Sequence, residues 1–163
     1  MIHCRSGAPR RAGEVLITLA LVVAAAAISC ATAPYTPSER SITRLAALID
    51  SGRVGSVKGL AAAPFLLDGE ILLRQSDVDA AWANFAAAKL SLRSPKVASI
   101  ARIGPDSYAS FGSSMDVRVF FKKYLDKNSS LVALDTADGR YYLLLNREVS
   151  GYPRIQGIAG PLK

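Results

Sequence analysis

The sequence predicts an α+β domain in which a bent antiparallel sheet packs on helices. Three observations predict it. Apolar residues recur at helical spacing in 36–51 and 76–90, Asp-Gly pairs sit between apolar arms at 68–69 and 138–139, and short β-type runs meander from 131 to 158. Taking the elements in order, Thr36-Pro37-Ser38-Glu39 combines a capping box with Pro at the first helical position. Ile42, Leu45, Ala46, Leu48 and Ile49 follow at helical spacing, and Gly52 ends the segment. The first helix is therefore expected from Pro37 to Ser51. Gly55 and Gly59 disfavour a long helix next, which leaves Val57, Leu60 and Ala61 as one short helical face.

In PFLLDGEILL, Asp68-Gly69 signals a two-residue hairpin turn. The pairing then sets Leu67 opposite Glu70 and Leu66 opposite Ile71. Ser76 is the expected cap of the second helix, with Asp77 and Asp79 in its first turn. Val78, Ala81, Trp82, Phe85 and Lys89 form its stripe. Pro95 precedes a strand near Val97 to Ile103, and Pro105 to Phe111 reads as one or two helical turns. In Ser114 to Asp126, Val117, Phe120, Phe121, Tyr124 and Leu125 fit a helix better than a strand. Asp138-Gly139 predicts a second hairpin, pairing Thr136 with Tyr141, Leu134 with Leu143 and Val132 with Leu145, all on one face. The reverse face, with Ala133, Asp135, Tyr142, Leu144 and Asn146, is mixed. Ser150-Gly151 turns the chain again, a three-residue loop through Tyr152 being preferred because it keeps Ile155 on the core face. The last strand is expected from Pro153 to Ile158, ended by Gly160-Pro161.

Ahead of this domain lies VLITLALVVAAAAISC, Val15 to Cys30. Its apolar part, to Ile28, spans roughly 20 Å as a helix, short of a ~30 Å hydrocarbon core. Arg5, Arg10 and Arg11 precede it. A basic head, a short apolar run and small residues describe a secretory signal peptide. Ala27-Ile28-Ser29-Cys30 resembles the bacterial lipobox, in which cleavage before a cysteine accompanies its diacylglycerol modification. Simple cleavage near Ala31 to Ala33 and an uncleaved anchor are the alternatives. The reading gives residues 1–29 as signal peptide, 30–35 as tether and 36–163 as one domain. Cys4 and Cys30 are the only cysteines, so the processed chain cannot form an internal disulfide, and lipidation gives Cys30 a use. Placement is then the bacterial envelope. Ala31 follows the cysteine where enteric lipoproteins kept at the inner membrane often carry Asp, so the outer membrane is preferred by analogy.

Removal of 29 of the 163 residues leaves 134, enough for a single core. Three of the 20 basic and one of the 13 acidic residues precede Cys30, so the processed chain keeps a net charge of +5. Anionic lipid headgroups attract such a surface. Nucleic acid is not expected as a partner, since export separates the two and no aromatic-basic stripe is present.

PFLLDGEILLRQSDVDAAWANF resembles the first ribbon and following helix of the nuclear transport factor 2-like family. GRYYLLLNREVSGYPRIQGIAGP resembles that family's closing strands, with Tyr152 where the family often carries Trp. The resemblance covers about a third of the chain and implies a cone, a bent sheet wrapped around helices. The family uses the cone's interior as a small-molecule pocket or its sheet as a docking surface. The helix expected over Ser114 to Asp126 departs from the family, which usually has strand there.

The only histidine, His3, lies in the signal, which removes histidine chemistry and a usual zinc site from the processed chain. No GxSxG elbow or phosphate-binding Gly-rich loop occurs. No metal or cofactor is therefore expected. Asp68 and Glu70 form a close carboxylate pair beside apolar sequence. Burial would raise such pKa values towards acid–base use, but turn placement already explains Asp68. Trp82, Phe85, Tyr108 and Tyr142 are candidate lining for a pocket, weighed against the more common role of aromatics as core. Tyr142 with Asp135 is the most notable polar-aromatic pair. The expectation is a lipid-anchored, non-enzymatic binding or assembly module for a small apolar ligand or an envelope protein. The alternative is a small isomerase or dehydratase using Asp68 or Glu70.

Overall fold

The computed structural model describes residues 34–90 and 92–162. The expected signal peptide, Cys30 and the tether through Ala33 lie outside the described residues. The tether's last two residues belong to the fold. Tyr35 donates its backbone N–H to Asn128 Oδ1 at 3.3 Å and its hydroxyl to Glu148 Oε1 at 3.2 Å.

Helix α1 spans Glu39–Asp50. Its cap is Ser38, not Thr36: Ser38 Oγ accepts from Ser41 N–H at 3.1 Å, so the cap falls two residues later than expected. Ile42, Leu45, Ala46, Leu48 and Ile49 are all buried, and Gly52 takes φ +67° where the helix ends. Helix α2, Val54–Lys58, is short. Val57 lies in it, while Ala61 already opens strand β1, so the expected helical face is split between two elements.

Strands β1 (Ala61–Leu67) and β2 (Glu70–Leu72) form the first hairpin. Asp68 and Gly69 both have positive φ, and the pairs Leu67 with Glu70 and Leu66 with Ile71 are as the turn predicts. Helix α3, Gln75–Ala87, starts one residue before the expected cap. No side chain caps it. Instead the Gln75 amide bridges to strand β1, accepting from Ala63 N–H at 3.1 Å and donating to Ala61 O at 3.2 Å, which fixes the helix against the sheet edge.

Strand β3 is Lys96–Arg102, followed by a 3-10 turn at Ser107–Ser110 and helix α4, Met115–Lys123. Ser114 Oγ caps α4 through Val117 N–H at 3.2 Å. Strands β4 (Ser130–Thr136), β5 (Gly139–Val149) and β6 (Tyr152–Leu162) complete a six-stranded sheet of order β2-β1-β6-β5-β4-β3. The sheet is mixed, not antiparallel throughout, because β6 runs parallel to β1. The two approach closely at Gly157, where an added Cβ would lie 2.8 Å from Leu66 O.

Three β-details differ from expectation. The second hairpin pairs Thr136 with Gly139 and Leu134 with Tyr141, so the turn residues are Ala137 and Asp138. Ala137 N–H donates to Arg93 O at 3.0 Å and the Asp138 carboxylate meets Arg93 at 2.6 Å, which holds the turn there. Ser150-Gly151 is a two-residue loop flanked by Val149 and Tyr152, with both loop residues at positive φ. A bulge between Asn146 and Glu148 then brings Leu145 opposite Ile155, so the core match comes from the strand and not from a longer turn. Finally, β6 continues past Gly160-Pro161 to Leu162.

The sheet is covered on both faces. Val132, Leu134, Tyr141, Leu143, Leu145, Ile155 and Phe65 join the buried stripe of α1 and Val78 and Trp82 of α3 in the larger core. Each fully buried Leu or Phe contributes about 1.5–3 kcal/mol. The reverse face, expected to be mixed, carries a second core of Leu66, Leu144 and Ala159 under Phe111, Val117, Phe120 and Phe121.

Candidate functional site

A cavity of about 300 Å³ opens where the end of α1, helix α2 and the end of α3 meet. Ile49, Val54, Val57, Trp82, Phe85 and Leu90 form its apolar wall, while Asp50, Ser51 and Lys89 stand among its polar residues. Local sequence builds each side. Helix α3 ends in a two-bond Schellman closure, Leu90 N–H to Phe85 O at 2.8 Å and Lys89 N–H to Ala86 O at 3.1 Å. The closure needs a left-handed residue, and Lys89 takes it at φ +55°. That geometry turns Leu90 back beside Phe85, and both pack against the larger core.

Trp82 is 3% exposed and packs edge-on between Phe65, at 6.2 Å between ring centroids, and Phe85, at 5.4 Å. Among the described residues its buried Nε1–H finds no acceptor, and Ser130 Oγ is the other buried side-chain polar atom without a partner. Buried polar groups are normally paired, so both stand out. Asp50 Oδ1 accepts from Leu92 N–H at 3.2 Å, tying the segment after α3 to the end of α1.

The sequence candidates separate. Trp82 and Phe85 share this cavity. Tyr108 and Tyr142 pack against the core on the other face of the sheet. Tyr108 lies under Arg118, whose guanidinium carbon sits 4.9 Å from the ring centroid. Tyr142 borders an open groove with Asp68, Phe111 and Ala159. Asp68 is exposed and structural: its Oδ1 accepts from Gly160 N–H at 2.9 Å, docking the first hairpin on β6. Glu70 is exposed beside it. Asp135 does not engage Tyr142; it meets Arg140 at 2.6 Å, because the register places those two opposite each other. Among the described residues no cluster of three or more metal-ligating side chains occurs, and no helix is long and apolar enough to cross a membrane.

Sequence reasoning missed a polar cluster at the end of the sheet. Asn146 Nδ2 donates to Asp126 Oδ1 and Gln156 Oε1, each at 3.2 Å, and Ser129 Oγ donates to Gln156 Oε1 at 2.8 Å. Burial raises the Asp126 pKa, but hydrogen bonds from Asn128, Asn146 and Ser129 together outweigh it and leave the carboxyl below its ordinary range. These residues come from the α4–β4 loop, β5 and β6, and no local motif joins them. The cavity's Ile49, Val54 and Val57 escaped notice for the same reason, since each reads locally as ordinary core.

The molecule is thus an α+β domain with a helix-bounded apolar cavity. No protein-family model, curated protein or solved structure matches the chain.

Proposed function

We propose that this chain is an exported, lipid-anchored protein of the bacterial envelope, preferentially the outer membrane, that acts as a non-enzymatic binding module. The helix-bounded cavity is its ligand seat. The observation that carries the reading is the composition of that cavity: an aromatic and aliphatic wall of Ile49, Val54, Val57, Trp82, Phe85 and Leu90, beside which Asp50, Ser51 and Lys89 are the polar side chains. Asp68 and Glu70, the carboxylates an isomerase or dehydratase would use, do not border it. The anchor rests on Arg5, Arg10, Arg11, the apolar run to Ile28 and Ser29-Cys30.

The fold reading is a nuclear transport factor 2-like cone. Its support is the order of two helices, a hairpin, a third helix and four further strands, with the last strand returning beside the first. Helix α4, between β3 and β4, is a departure from that family.

The test of the anchor is fractionation of cells expressing the chain and its Cys30→Ser variant. The unsubstituted protein is expected in membranes with a diacylated N-terminal Cys30 by mass spectrometry, and the variant is expected to lose both. An unmodified N-terminus at Ala31 or beyond sinks the anchor. The test of the seat is quenching of Trp82, the sole tryptophan, by a naphthalene derivative. No quenching up to the probe's solubility limit sinks the seat.

A further inference from the structure

We propose that the outward face of helix α4 and the groove beside it dock on a bilayer surface rich in anionic phospholipid, with Arg118 and Lys122 on the lipid phosphates. This surface belongs to the folded domain and does not depend on an anchor at Cys30.

Helix α4 has two faces of opposite character. Val117, Phe120 and Phe121 are buried and belong to the second core. Met115, Arg118, Val119 and Lys122 follow the i, i+3, i+4, i+7 spacing of one outward stripe, and all four are exposed. Met115 is 72% exposed and Val119 43%, two of the four large apolar side chains so exposed among the described residues. Single exposed apolar residues are ordinary. Two on adjacent turns, with cations beside them, suit the headgroup layer of a membrane, where apolar area and positive charge both contribute to binding.

The groove beside that stripe has a volume of about 350 Å³. Ile103, Pro105, Tyr108 and Phe121 give it an apolar floor, and Arg118 and Lys122 are its only charged lining residues. Arg118 is held over Tyr108, its guanidinium carbon 4.9 Å from the ring centroid. A stacked guanidinium keeps its in-plane N–H fork free for a phosphate. Neither cation is in an ion pair: the two ion pairs among the described residues are Arg93 with Asp138 and Arg140 with Asp135. Lys123 adds a further positive charge in the last turn of α4, and the acids nearest in sequence, Asp106 and Asp116, do not line the groove. A free phosphate would satisfy the two cations and leave Met115 and Val119 in water. A phospholipid surface presents phosphate and apolar chains together, and so accounts for both halves of the stripe.

Met115 is the only methionine besides Met1. Its oxidation to the sulfoxide by hydrogen peroxide, read by peptide mass spectrometry, therefore reports on this face alone. The full chain as purified from cells is oxidised free, with vesicles of phosphatidylcholine, and with vesicles containing an equal share of phosphatidylglycerol. Oxidation of Met115 is expected to slow on the phosphatidylglycerol vesicles only, and to recover in about 1 M NaCl, where the screening length falls to ~3 Å. Arg118→Gln combined with Lys122→Gln leaves the buried stripe of α4 untouched. It is expected to weaken docking about 25-fold, roughly fivefold per cation, and so to lose the slowing. The vesicle and salt arms use the unsubstituted chain and decide the proposal without that variant. Cosedimentation with the phosphatidylcholine vesicles tests the anchor separately, since a lipidated chain binds them whatever α4 does. Equal oxidation in all three samples overturns the docking surface. Equal slowing on both kinds of vesicle, or slowing that survives in the doubly substituted chain, overturns the assignment to the two cations. Slowing by free glycerol phosphate assigns the groove to a soluble anion, and slowing that rises with protein concentration alone assigns the face to a second copy; either overturns the bilayer.

Discussion

At the scale of single residues, Lys89 and Trp82 are where local preference and the observed structure diverge. The Schellman closure of α3 wants glycine at its left-handed position, and the chain supplies lysine at φ +55°. Lys89→Gly is expected to stabilise the protein by about 0.5–1 kcal/mol, because a side chain no longer strains that backbone. Urea denaturation measures it, and a destabilised variant would show that the lysine stem packs usefully against the cavity. Trp82→Ala is expected to cost about 3–5 kcal/mol, since the ring touches Phe65 and Phe85 and is almost wholly buried. An unchanged midpoint would take Trp82 out of the core. The sequence brought Trp82 and Phe85 together correctly, because a spacing of three places two side chains on one helix face. Strand alternation already put Tyr142 on the reverse face, but nothing local put Tyr108 there, because its place depends on how α4 and the 3-10 turn pack.

At the scale of elements, the two hairpins show what an Asp-Gly pair does and does not specify. Asp68-Gly69 forms the turn its residues favour, both with positive φ, and its register follows. At the second hairpin Gly139 has positive φ while Asp138 does not, and the turn moves onto Ala137 and Asp138 under the pull of Arg93. The resulting pairing, Leu134 with Tyr141 instead of Leu143, is displaced by an even number of residues. Side chains alternate with period two, so Val132, Leu134, Tyr141, Leu143 and Leu145 remain on the face covered by α1 and α3 although their partners change. Faces were legible from the alternation; pairing was not, because a long-range contact set it. The parallel β1–β6 contact was equally hidden, and its tightest point is testable. Gly157→Ala places a methyl within 2.8 Å of Leu66 O and 3.1 Å of Leu144 Cδ1. A loss of about 1–3 kcal/mol is expected, read from thermal unfolding. A variant as stable as the parent would mean that the two strands part at little cost.

At the scale of the whole molecule, the shifted ionisable groups define the pH range of stability. On the acid side, hydrogen bonds and paired charges hold Asp126, Asp135 and Asp138 below the ordinary carboxyl range. Unfolded, these groups bind protons near pH ~3.9, before their folded counterparts do. Stability from them is therefore complete above that value and falls as pH drops through the lower folded values. On the alkaline side, burial, the neighbouring Glu148 charge and their hydrogen bond raise the Tyr35 phenol to about 12, and burial with the charges of Asp138 and Asp68 raises Tyr141. Unfolded tyrosines lose protons near pH ~10, so stability is full below that and declines as pH rises through the folded values. A plateau between about pH 5 and 9 is expected, with urea midpoints lower at pH 3 and at pH 11. Tyr35→Phe separates this linkage from general alkaline effects. It gives up one exposed hydrogen bond at pH 7 and is expected to show a shallower decline from pH 9 to 11, with its acid limb unchanged. The same alkaline slope in parent and variant would show that Tyr35 is not held against Glu148 in solution.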